Sequence, residues 1–255
     1  DPTKKYPLIE YVYPGPQTVA VDKSFSADYR WSRKDMLAQI GFIVVTLGNR
    51  GGHPDRSKWY HNYGYGNLRD YGLADKKYVA EQLVSRHDFL DKNKIGIFGH
   101  SGGGFMSTAA MLVYPDFFKV AVSSAGNHDN SIYNSWWSES HHGIEKKESQ
   151  DGKIEYVYDI DKNQDIAKNL KGHLLLVTGD LDNNVHPAAT MRVVDALIKE
   201  NKRFSFMILP GQRHGFGSMS EYFFWLKADF FSKHFLDKKD FSVDMNIINQ
   251  DIPQN

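Results

Sequence analysis

Residues 94–105 read KIGIFGHSGGGF, and the prediction of the fold starts from this stretch. Ile95 and Ile97 lie in a short apolar run that predicts a buried strand. Residues 99–104 form a glycine-rich turn around Ser101, and the apolar, alanine-rich residues 105–114 predict a helix. A strand, a Gly-x-Ser-x-Gly turn and a helix in this order indicate a nucleophile elbow.

The elbow predicts a chemical role for Ser101 through its geometry. A sharp, strained turn projects the hydroxyl into a cleft and points the following amides toward a substrate oxygen. Gly99 and Gly103 carry no Cβ where the strand and the helix approach each other. The alternative is a glycine-rich turn with an incidental serine, because the motif alone is only moderately specific.

The composition narrows the classes of function. The 255 residues include 31 Lys and Arg and 31 Asp and Glu, so no net charge attracts nucleic acid, which is not an expected partner. Cysteine is absent, which excludes disulfides, thiolate nucleophiles and cysteine metal sites. The sequence starts with Asp1 and not with methionine, so we expect a fragment of a longer chain, and its lack of a signal peptide or membrane span then does not locate the parent protein.

Short apolar runs alternate with helical segments along the chain. Strands besides the elbow strand are predicted at residues 8–13, 42–47, 120–122, 173–178 and 204–209. Further helices are predicted at residues 31–39, 69–86, 187–200 and 218–235. The unbroken apolar run at 42–47 suits a strand covered on both faces of a parallel sheet.

This alternation predicts an α/β-hydrolase fold, a doubly wound and mainly parallel sheet flanked by helices. We expect residues 1–255 to form a single domain, with a ragged tail at 238–255. Residues 48–66 form a long loop, and loops of that length are often functional. Residues 145–162 resemble a polar insertion, in which the alternation at 153–158 predicts one arm of a hairpin.

A nucleophilic serine needs a base to take its proton and a third group to orient that base. On this fold the order is Ser, acid, His, with each residue at the carboxyl end of a strand. His214 lies in a Gly-flanked loop after the last predicted strand and is the predicted base. Asp180 and Asp182 both follow the strand at 173–178. We prefer Asp182 because it lies further from the strand end, so that its loop can reach the far ring nitrogen of His214. Asp180 is then a residue that caps a turn.

An oxyanion needs preorganised hydrogen-bond donors. The amide of Gly102, directly after the nucleophile, is one predicted donor. The His-Gly-Gly-Gly loop of esterases is absent, and Gly51-Gly52-His53 is reversed and lies in the wrong loop. The sharp turn after the first strand carries Tyr13, whose phenol offers a second donor.

Five motifs, in their order and spacing, resemble the catalytic domain of the prolyl oligopeptidase family of serine peptidases: KKYPLIEYVYPGP, GNRGG, GHSGGG, GDLDNNVHP and GQRHGFG. The dipeptidyl peptidase IV-like branch fits best, over residues 4–234. The resemblance implies a Ser101, Asp182 and His214 triad, which agrees with the choice made from the residues. It also implies an oxyanion hole formed by the Tyr13 hydroxyl and the Gly102 amide.

The resemblance further assigns the substrate-binding residues. It implies that Tyr133 and Trp137 line an S1 pocket, that Val185 lies at its wall, and that Asn184 contacts a substrate carbonyl. Two departures bear on specificity, because that branch has Tyr where Gly102 stands and Trp where Asn130 stands. Both changes remove aromatic surface from S1, so a strict preference for proline is not expected, and the P1 residue stays open between proline or alanine and a broader or larger set.

The function expected from this resemblance is cleavage of short peptides through an acyl-enzyme, in the manner of a dipeptidyl peptidase, without a cofactor. The expected partners are a peptide substrate and an amino-terminal propeller domain of the parent chain, and a homodimer stays open. An extracytoplasmic location, periplasmic or secreted, is expected on the same ground. The alternatives are a carboxylesterase on the same fold and a catalytically silent binding domain.

Two polar patterns imitate metal sites, and we expect no metal at either. Residues 159–165 resemble the start of a calcium loop, but Gln164 stands where the loop needs Gly and Leu170 where it needs Glu. His141 and His142 are adjacent, and neighbouring residues of a strand point to opposite faces. We expect a solvated loop and surface histidines instead.

Overall fold

The computed structural model describes residues 1, 3–18, 20–21, 33–238 and 240–250, and for residues 249 and 250 it describes the backbone alone. The strands are β1 (Tyr6–Tyr11), β2 (Ile43–Thr46), β3 (Leu90–His100), β4 (Val120–Ser124), β5 (Glu145–Glu148), β6 (Ile154–Val157), β7 (His173–Gly179) and β8 (Ser205–Leu209). The helices are α1 (Lys34–Ile40), α2 (Lys58–His61), α3 (Leu73–Arg86), α4 (Gly102–Val113), α5 (Ser135–His142), α6 (Ala188–Lys199), α7 (Ser220–Phe235) and α8 (Met245–Gln250).

Six strands form one sheet in the order β2-β1-β3-β4-β7-β8, and all five neighbouring pairs are parallel. The predicted doubly wound sheet is therefore confirmed. Parallel neighbours need crossover connections, which the intervening helices provide. β5 and β6 form a separate antiparallel hairpin, as the alternation at 153–158 predicted.

The two faces of the sheet bury different side chains because successive residues of a strand point to opposite sides. On β7, Leu174 and Leu176 pack into the cluster that contains α3, α4 and α6 residues. Leu175 and Val177 pack into the opposite cluster, with residues of α1 and α7. Helices thus cover both faces, and β3 and β4 lie in the middle of the sheet.

β2 differs from its expectation. The apolar run at 42–47 suggested a strand covered on both faces, but all four residues of β2 are only half-buried. In the described part of the chain β2 pairs with β1 alone and forms an edge of the sheet. An edge strand has packed neighbours on one side only, and its side chains keep more contact with solvent.

Three further segments differ from the predictions. The helix expected at 31–39 is present from Lys34, while residues 31 and 32 lie outside the described residues. The loop at 48–66 contains α2 and a short 3-10 helix, Asn62–Gly64. The tail at 238–255 contains α8, which its polar composition did not predict, and residues 239 and 251–255 lie outside the description.

The two adjacent histidines lie on a helix, not on a strand as the argument against a metal site assumed. Both belong to the last turn of α5. The ring of His141 packs edge-on against Trp137, and Nε2 of His142 lies 3.0 Å from the carbonyl oxygen of Asp159.

Within the described residues, no helix combines the length and apolarity that crossing a bilayer requires.

Candidate active site

The turn between β3 and α4 holds Ser101 in an unusual backbone conformation. Ser101 has φ 58° and ψ −122°, a positive φ that is rare for a residue with a side chain. Its amide donates a hydrogen bond of 2.8 Å to the carbonyl of Ser124 at the end of β4. Strain of this kind persists only where the surrounding structure enforces it, as at functional sites. The strained turn expected from the sequence is present.

The glycines beside Ser101 are required by space. A Cβ on Gly103 would lie 2.1 Å from the carbonyl oxygen of Val12, and one on Gly99 would lie 2.5 Å from the same atom. Separations below 3.0 Å do not occur for real Cβ atoms, so neither position accepts a side chain without backbone movement. The end of β1 is thereby pressed against the elbow, and the next residue of the chain is Tyr13.

Asp182 and His214 meet through a short hydrogen bond. Nδ1 of His214 lies 2.7 Å from Oδ2 of Asp182. A carboxylate only accepts hydrogen bonds, so Nδ1 carries the proton and Nε2 is left as the basic nitrogen. The other oxygen, Oδ1, accepts the amides of Asn184 and Val185, each at 2.9 Å. The carboxyl group is thus fixed on both oxygens.

The environment of Asp182 keeps its carboxyl group ionised. Its side chain is fully buried, and burial by itself raises the pKa. The hydrogen bond and charge of His214 and the two backbone amides outweigh burial, and the pKa lies below its ordinary value. Asp180, the other candidate acid, is exposed, so the structure places Asp182 and not Asp180 against His214.

His214 and Ser101 come to the same rim of the sheet. The ring of His214 is 4.8 Å from the ring of His100, the residue directly before Ser101. The His214 side chain is 21% exposed, so a substrate can approach it. Parallel strands present their carboxyl ends at one edge, which brings the loops after β3, β7 and β8 together.

Tyr13 and Gly102 lie beside Ser101. A Cβ on Gly102 would be 3.9 Å from Cζ of Tyr13, so the phenol end of Tyr13 lies over the start of α4. Burial raises the pKa of the Tyr13 phenol, and hydrogen bonding to Ser101 and Gln17 offsets part of this rise. Nε2 of Gln17 donates to the Tyr13 hydroxyl at 3.1 Å. The phenol therefore stays protonated and can donate.

The predicted substrate-binding residues form one group at the same rim. The Tyr133 hydroxyl donates to Oδ1 of Asn184 at 3.2 Å, and the rings of Tyr133 and Trp137 meet edge-on at 5.5 Å. Burial, together with Tyr13 and Asp182, raises the pKa of Tyr133. Val185 is buried, with 2% of its surface exposed.

The support of the loop that carries Tyr133 was not predicted from the sequence. Asp129 is fully buried, and its carboxylate accepts hydrogen bonds from Ser131, Gln164 and Arg192. These partners come from three separate segments, and only the polar run at 127–130 after a buried strand could have drawn attention to the region. Gln17 was also missed, because a glutamine in a turn carries no signal of its own.

A family model described as the prolyl oligopeptidase family matches residues 27–238. The chain belongs to the prolyl oligopeptidase family. The resemblance found in the sequence motifs is confirmed, and the match covers the elbow and both loops that carry Asp182 and His214.

Relatives of the family support the dipeptidyl peptidase branch. Dipeptidyl peptidase 8 of Homo sapiens is 30% identical over 213 residues, which are 84% of this chain and 23% of that protein. Dipeptidyl peptidase family member 1 of Caenorhabditis elegans is 28% identical over 224 residues, 87% of this chain and 26% of that protein. The chain therefore spans about a quarter of the length of these curated relatives.

A solved family member has the same fold. The structure of Porphyromonas gingivalis dipeptidyl peptidase 4 superimposes with a TM-score of 0.76 at 26% sequence identity. The superposition covers 92% of this chain and 32% of that one. The α/β-hydrolase fold predicted from the sequence is thus confirmed.

Proposed function

We propose that the chain is the catalytic domain of a serine peptidase that cleaves short peptides, as a dipeptidyl peptidase does. The observation that carries this proposal is the 2.7 Å hydrogen bond between His214 and Asp182, at the rim where Ser101 has φ 58°. Membership of the prolyl oligopeptidase family and the named dipeptidyl peptidase relatives support the same class of reaction.

In the first step, Ser101 Oγ attacks the carbonyl carbon of the scissile bond while Nε2 of His214 takes the hydroxyl proton. The imidazolium that forms is stabilised by the ionised Asp182, which also keeps the proton on Nδ1. His214 then gives its proton to the leaving amine, and the C–N bond breaks. The result is an ester between Ser101 and the amino-terminal part of the substrate.

In the second step, water attacks the acyl-enzyme. His214 takes a proton from the water, the tetrahedral intermediate collapses, and the proton returns to Ser101 Oγ. Each tetrahedral intermediate carries a negative oxygen. The Gly102 amide and the Tyr13 hydroxyl, which lie beside Ser101, are the donors we propose for that oxygen.

The space beside Ser101 supports a broad P1 preference. Among the described residues, a Cβ on Gly102 would meet Tyr13 Cζ alone within 4 Å, so the position leaves room next to the proposed oxyanion donors. Asn130 is buried, and its side-chain oxygen accepts from Asn127 at 2.6 Å. We expect cleavage after residues larger than alanine as well as after proline.

The rim of the site suggests a covering domain in the parent protein. Trp59 on α2 is 86% exposed and Trp136 on α5 is 74% exposed, and both lie on segments that follow carboxyl ends of strands. A covering domain would remove this apolar surface from water. We propose that an amino-terminal propeller domain covers them. A homodimer and an extracytoplasmic location are proposals that rest on the family resemblance alone.

The test uses a fluorophosphonate probe and matched substrates. Wild-type chain should be labelled covalently, and Ser101→Ala should not. Dipeptide anilides with Pro, Ala and Leu at P1, each compared with the corresponding ester, then separate peptidase from esterase. Hydrolysis of the esters alone would favour a carboxylesterase. Absence of labelling at Ser101 in a chain that is folded by circular dichroism would favour a binding domain and overturn the proposal.

A further inference from the structure

His100 lies directly against the proposed base. Its ring centroid is 4.8 Å from that of His214, with the two rings tilted by 55°. On its other side Phe216 packs edge-on against it at 5.2 Å. His214 and Phe216 belong to the same loop after β8, so the ring of His100 is enclosed by the loop that carries the base.

The ring of His100 is held by a hydrogen bond at the end of β4. Nδ1 lies 2.9 Å from Oγ of Ser124, and the Ser124 hydroxyl donates its one proton to the Gly99 carbonyl at 3.1 Å. Nδ1 of His100 is therefore the donor to Ser124. The Nε2 side of the ring is excluded from solvent and lies close to the main chain of His214. His100 therefore links the central strand β4 to the base loop.

The charges around His100 keep it neutral. Its pKa is lowered to about 3, mainly by burial and also by the nearby His214 and Lys227, whereas Asp182 and the His214 main chain act in the opposite direction. A neutral ring does not compete with His214 for the Ser101 proton. It also does not repel the imidazolium that His214 becomes during the reaction.

The base needs such a contact because the Asp182 hydrogen bond holds only one of its ring atoms. The ring of His214 can still tilt about the line between Nδ1 and Oδ2, and its loop contains Gly211, Gly215 and Gly217. Small displacements of a reacting group are costly, with about 1 Å reducing the rate roughly 10²-fold. A second fixed contact removes this freedom.

We propose that His100 is a positioning residue, whose ring, anchored on Ser124, holds the ring of His214 in reach of the Ser101 hydroxyl. The proposal rests on the proposed function in so far as His214 is the base. His100 itself touches neither the substrate nor the reacting atoms.

The test compares two replacements of His100 with a matched control. His100→Phe keeps a ring beside His214 and removes the hydrogen bond to Ser124. His100→Gln keeps a donor for Ser124 and removes the ring that contacts His214. His128→Phe is the control, because His128 is also fully buried with a pKa lowered to about 3, but its ring contacts Asn163 and not His214.

The readouts separate positioning from folding. We expect His100→Gln, which loses the ring against His214, to lower kcat roughly 10- to 100-fold while KM stays within about twofold, since the substrate contacts are intact. We expect His100→Phe, which keeps a ring there, to lose less. The proton on Nδ1 of His214 is hydrogen-bonded to Asp182, and its downfield NMR resonance should shift or broaden in His100→Gln. In His128→Phe that resonance and kcat should stay as in the wild type, although its midpoint of thermal unfolding falls.

Wild-type kcat and an unmoved Nδ1 resonance in both folded His100 variants would overturn the proposal. If His100→Phe does not fold, the same two readouts on His100→Gln decide it. A wild-type chain that hydrolyses no peptide and is not labelled at Ser101 would contradict the proposed function instead. The resonance would then still report whether His100 holds the His214 ring.

Discussion

The elbow and the β5-β6 hairpin are opposite kinds of structure within one chain. At the elbow the backbone leaves no room, since a Cβ on Gly103 would lie 2.1 Å from Val12 O. In the hairpin every residue but Val157 is exposed, and a Cβ on Gly152 at its turn would meet nothing within 4 Å. The comparison teaches that the chemistry is placed where neighbouring segments fix the backbone, and that the hairpin is free to vary.

The largest expected effects come from the three proposed reacting residues. Ser101→Ala and His214→Ala should each lower kcat about 10⁶-fold, and Asp182→Ala about 10⁴-fold, because the groups act as one unit. Single-turnover kinetics with a dipeptide anilide measure these losses. A double variant Ser101→Ala, His214→Ala that is much slower than either single variant would contradict the concerted role.

Removal of one oxyanion donor should have an intermediate effect. Tyr13→Phe keeps the ring beside Gly102 and deletes the hydroxyl, so we expect kcat to fall roughly 10²–10³-fold with little change in KM. Gln17→Leu, which removes the side chain that donates to the Tyr13 hydroxyl, should cost much less. An unchanged kcat in Tyr13→Phe would exclude this hydroxyl from the mechanism.

The close approach of Gly103 to Val12 at the elbow should affect the free energy of unfolding when residue 103 gains a side chain. Gly103→Ala places a methyl group against Val12 O, and we expect a loss of about 3 kcal/mol in the free energy of unfolding. Gly152→Ala is the matched change in the hairpin, where φ is 78° and space is open, so only about 1 kcal/mol should be lost. Urea denaturation of both variants measures the difference. Equal losses of unfolding free energy would contradict the contrast in packing between the elbow and the hairpin.

The buried His128 should make the free energy of unfolding depend on pH. Burial lowers the pKa of His128 to about 3, whereas an unfolded chain has a histidine pKa of about 6.5. Its contribution is therefore complete above pH ~6.5 and is lost as the pH falls from there toward 3. Between pH 7 and pH 5 the free energy of unfolding should fall by about 2 kcal/mol through this group.

His128→Gln should remove that part of the pH dependence, and His87→Gln, a change at an exposed histidine, should leave it in place. Urea denaturation of the three proteins at pH 7 and at pH 5 compares the slopes. Parallel pH profiles in the wild type and His128→Gln would contradict a neutral, buried His128.

The smallest effect is expected in the hairpin. Tyr156 is 69% exposed, and Tyr156→Ala should change the free energy of unfolding by less than about 0.5 kcal/mol and leave kcat as it is. Tyr71, the same residue type with 4% exposure, is the control, since Tyr71→Ala should cost about 3 kcal/mol. A marked loss of activity in Tyr156→Ala would show that the hairpin takes part in the site.

The sequence predicted the elements in which local pattern and tertiary structure agree. The motif around Ser101 has glycines that the close approach of β1 requires, and β7 and β8 are apolar runs whose carboxyl ends lead to Asp182 and His214. These features depend on short stretches of chain. Because parallel strands end at the same edge of a sheet, the loops after these strands are then expected to lie at one edge.

The remaining features depend on residues far apart in the chain. β2 is apolar like a central strand, but its place at the edge is set by which strands lie beside it. The partners of Asp129 come from three segments, and no local pattern links Arg192 to it. His100 is one residue from the nucleophile, yet its contact with the base loop needs the register of β3 against β4 and the fold of residues 210–217.

The strand order also bears on how the protein is made. The nucleophile leaves the ribosome more than a hundred residues before the base, and β4 and β7 must be in place before the loop after β8 can reach it. A nascent or truncated chain that ends before residue 200 carries the serine but no base to activate it. Under the proposed mechanism, hydrolysis therefore becomes possible only when synthesis of the sheet is complete.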